Sequence, residues 1–161
     1  MSATLRARNA AVLPLLIVFV LVAGLVSVAT PAADAATRHQ KALRGLDITR
    51  NQKGDPYRWG AEGPSRFDCS GLVYFAFRKA GFTNVPRTSD QQARFADRIK
   101  RRNMHKGDLV FFHDGGGVYH VGIFAGWNKR DRKVIIHAPY GGRKVHRSVI
   151  WGDNWFPATL R

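Results

Sequence analysis

Hydrophobic and polar positions follow three different rhythms along the chain. Residues 10–30 are apolar or small and carry no charge; a polar start with Arg6 and Arg8 precedes them, and Ala33-Asp34-Ala35 follows. A basic start, an apolar stretch and small residues flanking a cleavage point are the layout of an export signal. The run also approaches the roughly 20 residues that span a bilayer, which makes a retained membrane anchor the competing reading. Pro14, Gly24 and Ser27 weaken the run as a stable helix. Either way the rest of the chain works outside the cytoplasm. Residues 1–35 are therefore expected to form the export segment, and residues 36–161 a single domain.

A helical rhythm follows. Residues 36–50 offer a modest apolar face at Leu43 and Leu46, closed by Lys53-Gly54-Asp55-Pro56. Residues 57–66, with Gly60, Gly63 and Pro64, read as a loop. The next helix should run from Cys69 to Lys79 or Ala80 and stop at Gly81. It is apolar on almost every side through Leu72, Val73, Tyr74, Phe75, Ala76 and Phe77, so it belongs in the interior. Ser89 with Gln92 predicts a capping box and a short helix to Phe95.

Beyond Gly107 the period shortens to that of strands, in runs rich in Val, Ile and Phe bounded by glycines. Strands are predicted at 108–113, 118–125, 133–138, 144–150 and 156–160. Helices followed by antiparallel strands give an α+β architecture.

Charge and cysteine content sharpen this picture. The 161 residues carry 26 basic and 11 acidic side chains, a net charge of +15. After loss of residues 1–35, 126 residues remain with a net charge of +14. Such a surface attracts polyanions. For an exported protein the anionic polymers of a bacterial wall fit better than nucleic acid. The membrane is a partner only if the first segment is retained. The lone Cys69 cannot form an internal disulfide, which leaves a buried structural thiol, an intermolecular bridge or a reactive group.

Cys69 opens the predicted interior helix, where unpaired amides and the helix dipole favour thiolate over thiol. Asp68 or Ser70 is expected to cap that helix. Of the six histidines, His39 and His105 lie in polar segments and are expected to be solvated. His120 shares a strand face with Gly122 and Phe124, and His137 follows Val134-Ile135-Ile136 on the next strand. Two histidines on adjacent apolar strands are compatible with a buried hydrogen-bonded pair, with zinc ligands or with catalysis. Compact zinc-ligand spacings are absent. A nucleophile, a base and an orienting group account for Cys69, His120 and His137 together.

With these residues in view, the chain resembles the NlpC-type family of cell-wall cysteine peptidases, which have papain-like domains. The likeness rests on Pro56-Tyr57-Arg58-Trp59-Gly60, Phe67-Asp68-Cys69-Ser70-Gly71-Leu72-Val73, Pro86-Arg87-Thr88-Ser89, Gly107-Asp108-Leu109-Val110-Phe111-Phe112, His120-Val121-Gly122-Ile123 and Ile136-His137-Ala138. Ala61 departs from the family, which often has glycine there.

The resemblance implies a papain-like fold with the nucleophile helix packed on a mostly antiparallel sheet of about five strands. It implies Cys69 as nucleophile, His120 as general base and His137 as the group orienting His120. Tyr57 would assist the substrate or the oxyanion, and Asp68 and Ser70 would line the subsite for the free amine end of a stem peptide. Trp59 is expected in the core, and a local contribution from His113 stays open. The implied activity is hydrolysis of peptidoglycan stem peptides, usually between a γ-linked D-glutamate and a diamino acid, with no metal and no organic cofactor. A non-catalytic basic wall-binding protein, and an amidase or acyltransferase on the same fold, are the alternatives.

Overall fold

The computed structural model describes residues 31–161, so the apolar run at 10–30 lies outside it. Helix α1 (Pro31–Asn51) carries Ala33-Asp34-Ala35 in its exposed first turns. Its inner face is Ala42, Gly45, Leu46 and Thr49, spaced three and four residues apart as 3.6 residues per turn require. Leu43 sits half-buried at the margin of that face.

Helix α2 (Cys69–Lys79) begins where expected because Asp68 caps it: one carboxylate oxygen accepts the Gly71 amide at 2.6 Å. Its end is set by Gly81, whose φ of +97° lets the Phe82 amide reach the Phe77 carbonyl at 3.1 Å. Gly71 has no substitute here, since a Cβ would stand 2.1 Å from the Ala61 carbonyl oxygen. That contact seats the 57–66 loop directly on the first turn of α2.

Helix α3 (Ser89–Phe95) is also present, but its capping box is one residue earlier than predicted. Thr88 accepts the Gln91 amide and Gln91 returns the bond to Thr88. Gln92 is turned inward instead, donating to the carbonyls of Ser70 at 2.9 Å and Pro86 at 2.8 Å.

Six strands follow: β1 (Asp97–Arg98), β2 (Leu109–Asp114), β3 (Gly117–Trp127), β4 (Lys133–His137), β5 (His146–Val149) and β6 (Trp155–Thr159). They form one antiparallel sheet in the order β1-β6-β2-β3-β4-β5. The sixth strand is β1, two exposed residues paired to β6. No apolar run announces it.

Strand alternation divides the core in two. Leu109, Phe111, Val121, Ile123 and Ile136 face the helices and meet Leu72, Val73, Ala76 and Phe77. Val110, Phe112, Phe124, Ile135 and Trp155 form a smaller cluster on the opposite face. At about 1.5–3 kcal/mol for each large apolar side chain buried, the helix-side cluster dominates the stability of the fold. This is the expected α+β, papain-like arrangement, with helix α2 laid against the centre of the sheet.

One irregularity matters for the site. Phe112 pairs with His120 but His113 pairs with Val118, which leaves Tyr119 as a surplus residue on β3. Val118 and Val121 both contact the helix-side cluster as a result, while His120 lies against Phe112 of the opposite cluster.

Candidate active site

Cys69 lies partly buried at the mouth of α2. It lines a cleft of about 370 Å³ together with Tyr57, Asp68, Ser70, Arg87 and Tyr119. Burial pushes the thiol's pKa up, and the Asp68 charge pushes the same way. The amides of Val121, Ser70 and Cys69 itself draw it down without prevailing. The sequence argument from the helix dipole therefore gets the sign of one contribution right and the net direction wrong, because desolvation outweighs the helix amides.

Tyr57 reaches this cleft from a short bridge to Phe67, and its ring meets Tyr140 edge to face at 5.7 Å. Burial, reinforced by Cys69, Asp68 and Tyr140, holds its phenol at about 12, so it stays a hydrogen-bond donor at neutral pH.

The floor of the cleft is an ionic knot centred on Asp68. Arg87 grips both carboxylate oxygens, at 3.0 and 2.8 Å, and also donates to Ser70 Oγ at 3.1 Å. Glu62 pairs with the same guanidinium at 3.1 Å. Gly60, Gly71 and Ser70 complete the donor set around Asp68. Asp68 thus caps the helix, anchors the loop and holds Arg87 at once, which fixes the backbone beneath the sulfur.

The histidines form a second assembly. His120 Nε2 lies 2.8 Å from His137 Nδ1, and His137 Nε2 lies 2.9 Å from Ser148 Oγ. Gly122 makes this possible, because a Cβ there would meet Ile135 at 2.6 Å and His137 Cβ at 3.3 Å. Phe112 and Trp151 cover the pair: Trp151 stacks on Phe112 at 4.1 Å and lies 5.7 Å from the His120 ring and 5.3 Å from that of His137. Burial lowers His120 to about 4. Burial first, then the nearby His120, His146 and Arg143, lowers His137 to about 3. Both rings are neutral at pH 7, so each has one N–H donor and one acceptor.

The two assemblies meet on β3. The amide of Val121, next to His120, lowers the pKa of the Cys69 thiol, and Tyr119 lines both the cleft and a 460 Å³ hollow over the histidines. Among the described residues the thiol makes no hydrogen bond to the His120 ring. The halves adjoin at Tyr119 of β3. No cluster of three or more His, Cys, Asp or Glu side chains suited to a metal occurs among the described residues.

Residues 54–161 match the model of the NlpC/P60 family. The chain belongs to the NlpC/P60 family. It is 39% identical over 108 residues to a probable endopeptidase of Corynebacterium glutamicum, covering 67% of this chain and 48% of that protein. It is 35% identical over 130 residues to the murein DD-endopeptidase MepH of Escherichia coli, covering 76% of this chain and 46% of the relative. The chain thus spans about half the length of these curated relatives. Among solved structures, RipD of Mycobacterium tuberculosis, described as a non-catalytic NlpC/p60 domain protein adapted to peptidoglycan binding, superposes with a TM-score of 0.63 at 23% identity. That likeness covers 76% of this chain and 98% of RipD.

Within this NlpC/P60 domain several sequence expectations need correction. Trp59 is 81% exposed and not part of the core, since the glycine turn around it lifts the ring off the loop. His39 is partly covered against His105, with its Nδ1 buried and unpartnered. His113 packs on Phe156 at 5.7 Å, away from both hollows. Arg87, Ser148 and Trp151 were not singled out from the sequence. Arg87 stood inside a recognised motif, but nothing local signals that it grips a carboxylate 19 positions earlier.

Proposed function

We propose that residues 36–161 form an exported cysteine endopeptidase acting on peptidoglycan stem peptides in or near the bacterial wall. The observation that carries this reading is the placement of Cys69 at a capped helix mouth, beside a strand that bears a buried His120–His137–Ser148 hydrogen-bond chain. Retention by anionic wall polymers follows from the +14 charge of residues 36–161.

The resting pair is a neutral thiol and a neutral imidazole. For His120 to accept a proton at Nδ1, its Nε2–H must donate to His137 Nδ1, and His137 Nε2–H must then donate to Ser148 Oγ. One tautomer assignment fixes the whole chain. The thiol proton passes to His120 Nδ1 as sulfur attacks the amide carbonyl. The Cys69 amide and the Tyr57 hydroxyl donate to the oxyanion. Collapse of the tetrahedral intermediate breaks the C–N bond, and His120 gives its proton to the departing amine. Water, deprotonated by His120, then hydrolyses the thioester. Asp68 and Ser70 line the acyl side of the cleft, where the free amine end of a stem peptide lies. The bond cut is that between γ-linked D-glutamate and a diamino acid.

Incubation with defined muropeptides, read by mass spectrometry, tests this and identifies the bond. Cleavage that persists in Cys69→Ala would refute the nucleophile. Release of a D-alanyl cross-link instead would move the proposal to the activity named for the E. coli relative. RipD favours a second reading, wall binding without cleavage. In that case wall retention falls steeply with salt and no soluble fragment appears.

A further inference from the structure

We propose that the hollow beyond Tyr119 is the subsite for the departing half of the substrate, and that it takes a fragment bearing a free carboxylate, held by Arg143. This rests on the peptidase reading above. The amine expelled from the tetrahedral intermediate must lie at His120 to receive its proton, so the fragment attached to it extends over the histidine side of β3. The concave surface there is the 460 Å³ hollow bordered by Tyr119, Tyr140, Arg143, His146 and Trp151. Because Tyr119 borders this hollow and the Cys69 cleft alike, a single extended peptide passes from one to the other across the scissile position.

The chemistry of the hollow selects its guest. Tyr140 is 78% exposed and Trp151 42%, large apolar faces left open to solvent. No carboxylate lines the hollow. Arg143 has no ion-pair partner among the described residues, and its charge is felt by His137. Its counterpart in the other cleft, Arg87, is already paired with Asp68 and Glu62. The backbone of Arg143 is nevertheless fixed: its carbonyl accepts the Tyr57 amide at 2.9 Å, which ties the loop carrying it to the wall of the Cys69 cleft. An unpaired guanidinium carried on an anchored backbone beside aromatic faces suits an aliphatic diamino acid ending in a carboxylate.

The test uses two stem peptides that differ only in the departing fragment, as free acid or as amide. Wild-type protein is expected to favour the acid about tenfold in kcat/KM, mainly through KM, and Arg143→Gln to cleave both at the wild-type rate for the amide. Equal cleavage of acid and amide by wild type, or discrimination that survives in Arg143→Gln, would overturn the proposal. A binding arm separates this from failure of the peptidase reading. Cys69→Ala protein is titrated with the diamino acid extended by D-alanine, as acid and as amide, with chemical shifts of Trp151 and His137 as readout. Acid-selective binding lost in Cys69→Ala/Arg143→Gln supports the subsite even if wild type cleaves nothing. Binding indifferent to the carboxylate sinks it even if cleavage is confirmed. Arg143 is exposed, and unchanged melting of the variant checks that the fold is intact.

Discussion

The cleft around Cys69 and the hollow over His120 are held together by opposite means. The first is a knot of full charges in which Arg87, Asp68 and Glu62 fix the loop and helix beneath the sulfur. The second is built on uncharged groups beneath its surface: two neutral imidazoles bonded in series under Phe112 and Trp151. A charged knot fails when one partner is removed, since the other is left buried and unpaired. A neutral chain fails when a proton is added. The two halves should therefore respond to different perturbations.

The largest effect should come from severing the halves chemically. Cys69→Ala and His120→Ala are each expected to lower muropeptide cleavage by at least about 10³-fold with the circular dichroism spectrum unchanged. Retained cleavage in either variant would dismiss the corresponding role. Next, Arg87→Met should cost about 3 kcal/mol of unfolding free energy in a urea titration, by leaving the Asp68 carboxylate without its guanidinium. Stability within 1 kcal/mol of wild type would show that the amides around Asp68 suffice.

Acid should act on the other half. His120 titrates at about 4 and His137 at about 3 in the folded protein, against an ordinary 6.5. The unfolded chain thus takes up protons first as pH falls. Stability is complete above about 6.5 and declines below it by up to about 1.4 kcal/mol per pH unit for each ring. Urea midpoints at pH 7, 5.5 and 4.5 measure this decline, and His137→Gln should remove one ring's share. The acid limb of kcat/KM should likewise fall near 4; a limb near 6.5 would contradict burial of the base. The smallest effect expected is that of Ser148→Ala, about tenfold in kcat with little change in KM or melting temperature. Ser148→Thr should restore the rate, and an unaltered rate in Ser148→Ala would remove the hydroxyl from the chain.

Much of this was legible from the residues. The extent of α2 followed from Asp68, Gly81 and the apolar run between them, and the two-residue period placed His120, Gly122 and Phe124 on one face. What escaped prediction depends on contacts distant in sequence or on depth. Asp68 with Arg87, and His137 with Ser148, meet only after the loop and the strands have folded. The helix dipole at Cys69 is a local property, whereas the desolvation that overrides it is set by the whole sheet. Trp59 looked like core because tryptophan is large and apolar, yet the turn that carries it points the ring outward.

The surplus residue on β3 has a consequence for how such domains diverge. Excising Tyr119 would restore regular pleating without turning His120 to the opposite face, since Val118 and Val121 already share the helix side. Only the partition separating the two chambers would vanish. One insertion or deletion on β3 can therefore join or divide the two hollows while the His120 ring stays in place.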